Sequence, residues 1–383
     1  MAELWSVSTR TVQKWASGGH LKGAYKLGRD WIIPENAEKP SHTKGEQSNS
    51  EPPQEKKSFA LPLMNASFPP GKALDYINTL EGTECHSLAL AEYHYYCGNS
   101  QNASCYAAPL LGSKDIDIHL SALLVHSFAN IELGEIGTVR HNFSQLQGLA
   151  KCKSSSKKNA VATFIMSMTA VLLHRPTAQP IPLESSVKYL PEGMKLYSLY
   201  ALAHLWYLNG EYGRSMGIAE SGLAMSELTY PIPFIYLNLI AAIDCINLQQ
   251  IERAKSYFTS AWTLAQKDKF FHPFAEHHGL LGGLVEVMLK GSYPAECEKI
   301  IKATYSFSKG WRQIHNANTD NAITDVLTTT EFTIAMLASK KWSNQQIAEH
   351  MKCSASTIKT HLSSIYRKLN IADRGELKQF LLE

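Results

Sequence analysis

The stretch Ser354-Ala-Ser-Thr-Ile-Lys-Thr-His-Leu-Ser-Ser-Ile-Tyr-Arg-Lys-Leu369 carries two patterns at once. Ile358, Leu362, Ile365 and Leu369 recur at the i, i+4, i+7 and i+11 spacing of one helical stripe, so they predict a helix with a buried face. Ser356, Thr360, Ser363 and Arg367 repeat the same spacing on another face, with Lys359 beside them. That second face is small, polar and basic. A helix that enters a DNA major groove needs small residues for close approach and cations for phosphates and guanine edges. Ser354 is a good cap for the start of this helix.

The residues around it extend the pattern. Thr328-x-x-Glu331, Ser343-x-x-Gln346 and Asp373-x-x-Glu376 each have the form of a capping box, in which a short side chain caps an orphan backbone donor and the acid or amide reaches back. With Ser354 they predict four helices joined by short turns over 325–383. The helix before the basic one is short, with Ile347, Ala348 and Met351 facing inward, and the turn Lys352-Cys353-Ser354 has helix-turn-helix length. Small Ala348 lets the two helices cross closely. Leu327-Thr328…Glu331, Ser343-Asn344-Gln345-Gln346-Ile347-Ala348, Thr357-Ile358-Lys359-x-His361, Ile365-Tyr366-x-Lys368-Leu369 and Arg374 together resemble the DNA-binding domain of the LuxR family. Thr330 and Trp342 depart from it, where the family often has Arg and Gly. The resemblance implies that Lys359, Thr360 and Ser363 face bases, with Ser356 on the same face. Thr357, His361, Arg367 and Lys368 then contact phosphates or support the helix. It also implies a homodimer formed through the last helix, Arg374 to Leu382. Between 327 and 383 there are eight Lys or Arg and five acids. This modest excess predicts weak nonspecific affinity from a monomer, and two-fold binding would compensate for it.

Upstream, from about residue 71 to 320, the pattern is helical and weakly repetitive. Leu133-Gly134-Glu135-Ile136-Gly137, Leu208-Asn209-Gly210-Glu211-Tyr212, Asn247-Leu248-Gln249-Gln250-Ile251 and Lys290-Gly291-Ser292-Tyr293 are short polar turns, each followed by a helical stretch. The spacing, about 40 residues or a multiple of it, predicts stacked helix pairs of the tetratricopeptide-like kind. An irregular helical bundle is the alternative. The region resembles the helical-repeat sensor arms of large LuxR-family regulators. A small-molecule or protein effector is expected there.

Residues 41–70, with Ser48-Asn-Ser-Glu-Pro-Pro-Gln-Glu-Lys-Lys57 at their centre, read as a disordered linker, because so polar a segment buries too little to offset its ordering entropy. Residues 1–40 read as a second, smaller module. Ser8 can cap a helix from Thr9 to Ser17, and Gly18-Gly19 can end it. Val7, Val12 and Trp15 should pack inward. Tyr25 to Pro34 predicts a hairpin turning at Gly28-Arg29. Val7-Ser8-x-Arg10-x-Val12-x-x-Trp15 and Gly28-Arg29-x-Trp31-x-Ile33-Pro34 resemble the winged helix-turn-helix of excisionase and MerR-like proteins. By that resemblance Thr9, Arg10, Gln13, Lys14 and Arg29 face DNA. Only Met1 to Trp5 stand where that family has a full helix: either the start of the chain is placed too late, or this copy of the module is truncated and poorly stable.

The 383 residues are 44% hydrophobic and carry a formal charge of +3, so any DNA affinity must come from local patches. The seven cysteines are odd in number and lack Cys-x-x-Cys spacing, which argues for buried thiols in a reducing cytosol rather than disulfides or a zinc site. No basic-then-apolar leader opens the chain, and the longest apolar run, Phe234 to Ile246, is interrupted by Asn238 and Asp244. A cytoplasmic, nucleoid-associated protein with no membrane contact is expected. Gly71-Lys72 lacks the rest of a phosphate-binding loop, and Glu276-His277-His278 lacks the i, i+4 spacing of paired metal ligands. Tyr93, Tyr95, Tyr96, Trp206, Tyr207, Trp262 and Phe271 read as core aromatics rather than a ligand groove. No enzyme, metal or cofactor is expected.

The chain is thus expected to be mainly α. Its parts are a winged module at 1–40, a linker at 41–70, a helical-repeat sensor at 71–320 and a four-helix DNA-binding domain at 325–383. The function expected is sequence-specific regulation of transcription on double-stranded DNA. The alternative is an interaction scaffold whose terminal modules bind proteins, which leaves the basic stripe without a purpose.

Overall fold

The computed structural model describes residue 5 and residues 9–17, 21, 24–27, 30–34, 37, 60–150, 159–172, 186–315 and 327–379. They fall into two compact units, Met1–Lys57 and Ser58–Glu383. Helix dominates both, and strands occur among the described residues only as one short hairpin.

In the first unit, α1 (Thr9–Ser17) precedes an antiparallel pair, β1 (Tyr25–Leu27) and β2 (Asp30–Ile32). Leu27 pairs with Asp30, leaving the two-residue connection expected of a tight hairpin. Val12 and Ala16, one turn apart on α1, are buried with Trp5 and Leu21, and the half-buried Trp15 and Trp31 pack around them. Thr9, Arg10 and Gln13 are exposed. Val7, Ser8, Gly18, Gly19, Gly28 and Arg29, and the side chain of Lys14, lie outside the described residues.

The second unit starts earlier than its sequence suggests. Residues 60–70, read as part of a linker, run through the core: Ala60, Leu61, Leu63, Met64, Ala66 and Phe68 are all buried. Their backbone is held by distant side chains. Ser121 accepts from Leu61 N–H at 3.1 Å, and Glu92 accepts from Leu63 and Met64 N–H at 2.9 and 3.0 Å. The strap passes so close to Gly193 that a β-carbon there would stand 2.3 Å from the Met64 carbonyl oxygen. Residues 41–59 lie outside the described residues.

Helical hairpins follow: α2 (Ala73–Asn78), α3 (Glu84–Tyr96) with α4 (Ser100–Ala107), α5 (Ile116–Leu133) with α6 (Ile136–Ala150), then α7 (Ala160–Leu172). Next come α8 (Glu192–Leu208) with α9 (Tyr212–Ala224) and α10 (Pro231–Asn247) with α11 (Ile251–Ala265). Three of the turns picked out from sequence join these pairs, and they share one bonding pattern. Gly134, Gly210 and Gln249 each adopt positive φ, and the next residue donates its N–H back into the final helical turn: Glu135 to Asn130, Glu211 to Trp206 and Gln250 to Cys245, at 2.8–3.0 Å. A fourth turn of the same form, at Gly98-Asn99, was not singled out. The Phe234–Ile246 run is the interior of α10, buried along almost its whole length. A helix that is apolar all round belongs in a core. No helix among the described residues is long and apolar enough to cross a membrane.

The later helices α12 (His272–His277), α13 (Leu284–Leu289) and α14 (Pro294–His315) return to the start of the unit. The Asp268 carboxylate accepts from Gly71 and Ala73 N–H at 2.6 and 3.0 Å, and α14 crosses α5 at Gly310. Lys290-Gly291-Ser292-Tyr293, the last predicted turn, links α13 to α14. All six described cysteines are free thiols, but Cys105 and Cys353 are exposed rather than buried. Nothing in their local sequence marks those two as facing solvent.

Candidate nucleic-acid interface

The last part of the chain forms α15 (Thr329–Ser339), α16 (Asn344–Met351) and α17 (Ala355–Leu369), followed by a 3-10 helix at Arg374–Gln379. Both of the first two expected capping boxes are complete. Thr328 accepts from Glu331 N–H while Glu331 accepts from Thr328 N–H, and Ser343 and Gln346 do the same. Ser354 caps α17, accepting from Thr357 N–H at 3.0 Å. The third box is rearranged. Asp373 accepts from Gly375 N–H at 2.7 Å, and Glu376 accepts from Ala372 N–H at 3.3 Å. The short 3-10 turn shortens the reach between cap and acceptor, so the last helix expected over Arg374 to Leu382 is 3-10 as far as Gln379. Residues 380–383 lie outside the described residues.

Helices α16 and α17 meet through the expected turn. Lys352 ends α16 in the left-handed region at φ 54°, and Cys353 N–H donates to Ala348 O at 3.0 Å. Ile347 and Ala348 on one helix and Ile358, Leu362, Ile365 and Leu369 on the other are buried together with Ile334, Leu337 and Leu377. Burial of that stripe sets the rotation of α17. It leaves Ser356, Thr357, Lys359, Thr360, Ser363 and Arg367 exposed, with His361 half-buried at the edge. The Thr360 and Ser363 hydroxyls fold back onto the carbonyls of Ser356 and Lys359 at 3.0 Å, which keeps the surface between the cations low. Lys359 and Arg367 make no ion pair among the described residues.

Lys368 is placed differently. Its ammonium sits 2.6 Å from Glu331, on the side chain that also closes the first capping box and accepts from Ser364 at 3.0 Å. Burial pushes the Glu331 pKa up, but the Lys368 ammonium, the Thr328 N–H and the Ser364 hydroxyl outweigh it and hold the group down at about 2. Arg374 is a second cation used internally: it donates to the carbonyls of Ala338 and Trp342 and, at 3.2 Å, to Asn344. It ties the end of α15 to the start of α16. Glu331 therefore favours the fold at every pH above about 4.5, and this contribution is lost as pH falls through about 2. Glu331→Gln should remove up to about 3 kcal/mol at neutral pH and flatten the acid limb of the stability curve. Urea unfolding of both proteins between pH 2 and 7 measures it, and curves that stay parallel throughout would contradict the assignment.

The opposite side of this domain rests on the helical region. His350 Nε2 stands 2.6 Å from the Gly282 carbonyl, and its ring lies 5.4 Å from that of buried Trp342. Lys352 donates to Val287 O at 3.3 Å and Gln346 to Gln249 at 3.2 Å. Lys340 reaches into the helical region to the Tyr207 hydroxyl at 3.3 Å. Burial lowers the Lys340 pKa to about 8 and pushes that of the nearby buried Asp244 up to about 8. Met351, expected to face into its own domain, instead meets Gly283. The seat is glycine-lined. A β-carbon at Gly279 would stand 2.8 Å from Phe332, and one at Gly283 would stand 2.6 Å from Met351 Sδ. Sequence reasoning missed these contacts, although Trp342 in place of a family glycine was a signal that this turn packs against something. The domain thus presents α17 outward and the carboxyl end of α16 inward.

The other candidate chemistry resolves into structure. His277 binds Tyr200 at 2.8 Å, while His278 binds Glu286 at 2.9 Å, so the two neighbours serve different partners. Among the described residues no group of His, Cys, Asp and Glu is arranged to hold a metal ion. Trp262 stacks on Phe271 at 5.5 Å, and Arg214 covers Trp206.

Residues 325–381 match the family model described as bacterial regulatory proteins of the LuxR family. The C-terminal domain is a LuxR-type helix-turn-helix. The chain is similar to an HTH-type transcriptional regulator MalT of Vibrio campbellii, 26% identical over 154 residues, covering 36% of this chain and 17% of that protein. A MalT of Vibrio cholerae is 43% identical over 56 residues, 15% of this chain and 6% of its own length. A response regulator protein VraR of Staphylococcus saprophyticus is 29% identical over 106 residues, 26% of this chain and 51% of that protein. The chain therefore spans at most about half the length of these relatives. No solved structure matches.

Proposed function

We propose that the LuxR-type domain makes this chain a sequence-specific, double-stranded-DNA-binding regulator of transcription in the bacterial cytoplasm. The observation that carries the reading is the outward face of α17. Burial of Ile358, Leu362, Ile365 and Leu369 presents Ser356, Lys359, Thr360, Ser363 and Arg367 together on an exposed surface. Lys359, Thr360 and Ser363 are assigned to base edges, and Thr357, His361 and Arg367 to phosphates. Lys368, engaged with Glu331, supports the helix from behind. The relatives point the same way, since their names describe transcriptional and response regulators.

The helical region, with its repeated hairpin turns, is assigned as a tetratricopeptide-like sensor of an effector, and the C-terminal segment as a homodimer contact. The N-terminal unit is assigned as a second DNA contact through Thr9, Arg10, Gln13, Lys14 and Arg29. Lys359→Ala should lower affinity for the operator about 10- to 100-fold, as loss of one good base contact does. Chromatin pull-down of the tagged protein and this variant, followed by anisotropy on the recovered site, measures it. Peaks that persist unchanged in the variant would shift DNA recognition to the N-terminal unit. Soluble, folded protein without peaks in either form would remove the reading.

A further inference from the structure

Glu92, Glu132 and Glu276 are enclosed in the helical region with no lysine or arginine to match them. Glu92 is 1% exposed, and the side chains of Glu132 and Glu276 are 10% and 4% exposed. Among the described residues none of the three lies within ion-pair distance of a lysine or arginine. Glu92 is satisfied by the backbone of the buried strap, and Glu132 accepts from Ser100. Glu276 accepts from the Tyr95 hydroxyl and, at 2.7 Å, from the Tyr236 hydroxyl. Burial pushes the Glu276 pKa up, against the lowering effect of His272 and the two hydroxyls, so a bound cation would favour its charged form. Once ionised, the carboxylate offers about four acceptor positions, and two remain. His272, fully buried, stands 3.6 Å from Glu276 and 3.7 Å from Glu132, and neither of its ring nitrogens has a hydrogen-bond partner. Burial disfavours its charged form.

Beside Glu276 is a cavity of about 30 Å³. Besides Glu276, its wall is made of five aromatic residues, four of them Tyr95, Tyr96, Tyr197 and Tyr236, and of five aliphatic ones, Val125 among them. A water needs roughly 10–15 Å³ by the same measure, so the space suits a group of one or two non-hydrogen atoms. Sugars and nucleotides are too large. Hard metal cations want several oxygen ligands, whereas this wall offers one carboxylate, and the Tyr95 and Tyr236 hydroxyls already donate to it. Aromatic side chains beside a carboxylate favour an ammonium group, which donates N–H bonds to the acid and is drawn to the rings by cation–π attraction.

We propose that this cavity is a binding site for a small ammonium cation, ammonium itself or methylammonium, held on Glu276 between the four tyrosines. As an effector site it rests on the reading of the helical region as a sensor. Its place in the fold suits that role. Glu276 lies on α12, and α12 leads directly into Gly279–Gly283, the seat of the DNA-binding domain.

The test is thermal unfolding of the full chain in ammonium or methylammonium chloride, set against sodium, potassium and tetramethylammonium chloride at equal ionic strength. A saturable rise of about 2 °C over sodium is expected for the two small ammonium ions alone. It should vanish in Glu276→Gln. It should vanish also in Val125→Ile, which adds a methylene group at the cavity wall, leaves the carboxylate unchanged and keeps the test valid should the first variant not fold. An equal rise in potassium would overturn the ammonium assignment, leaving a site selected by size alone. No rise over sodium, or a rise retained in both variants, would overturn the site. Operator affinity is measured separately by anisotropy. A thermal rise with unchanged operator affinity leaves the site standing and removes its effector role. A thermal rise in a protein that binds no DNA tells against the regulator reading alone.

Discussion

Gly310→Ala is expected to destabilise the large unit by about 3–5 kcal/mol, against the usual sign for a helical glycine. Gly310 lies within α14, where alanine would ordinarily gain about 1 kcal/mol through helix propensity. Here a β-carbon would stand 1.7 Å from the carbonyl oxygen of Ile131 and 2.6 Å from its carbon. Both are backbone atoms of α5, a helix buried along most of its length, and cannot swing aside as a side-chain tip could. The two helices must separate, and the contacts along α14 loosen with them. Gly217→Ala provides the internal control. Gly217 is exposed on α9 and a β-carbon there meets nothing within 4 Å, so stabilisation by about 0.5–1 kcal/mol is expected. Urea unfolding of the three proteins decides it. Variants that move in the same direction would show that α14 does not close onto α5.

Gly283→Val should release the DNA-binding domain from its seat, with a loss of about 2–4 kcal/mol in docking. Two effects add. Gly283 has φ +84°, which costs an L-residue about 1–2 kcal/mol, more for a β-branched one. The new side chain would also drive into Met351 Sδ, 2.6 Å from the β-carbon position, and into Thr333 at 3.1 Å. Release would break the His350–Gly282 bond and expose half-buried Lys340 and buried Asp244 at the junction. The α17 face is remote from the seat, so its side chains should be unaffected. Hydrogen exchange is the measurement: amides of α15 and α16 should exchange faster while those of α8 and α10 stay protected, and operator affinity should not fall. Unchanged exchange in α15 and α16 would mean that the glycine seat does not hold the domain.

Much of the reader domain was legible because its determinants are local. The caps at Thr328, Ser343 and Ser354 each bond a backbone amide three residues away, and the buried stripe of α17 repeats every turn. Three hairpin turns of the helical region were visible for the same reason, since each needs a left-handed residue followed by a short polar step. The missed turn at Gly98-Asn99 has the same chemistry and stands about one repeat, 36 residues, before Gly134.

Residues that the chain's own order could not place are those whose partners are far away in it. Residues 60–70 looked like linker beside a polar tract, yet Glu92, Ser121 and Asp268 reach across to hold the backbone from 61 to 73. Lys340, His350, Lys352 and Lys368 carry charge or donors suited to DNA; helical spacing picks out Lys359 and Arg367 for the outer face, but nothing beside the other four in sequence shows that each is engaged elsewhere in the fold. Tyr207, Gly282, Val287 and Glu331 claim the first group, and α17's outward face leaves the second free. Local spacing and capping chose the helices and the rotation of the recognition face, because each bond closes within a few residues. The choice of which cations stay free for a partner, and the enclosure of an acidic, tyrosine-lined cavity, came from long-range packing, where a buried group must find its partner wherever the chain happens to return.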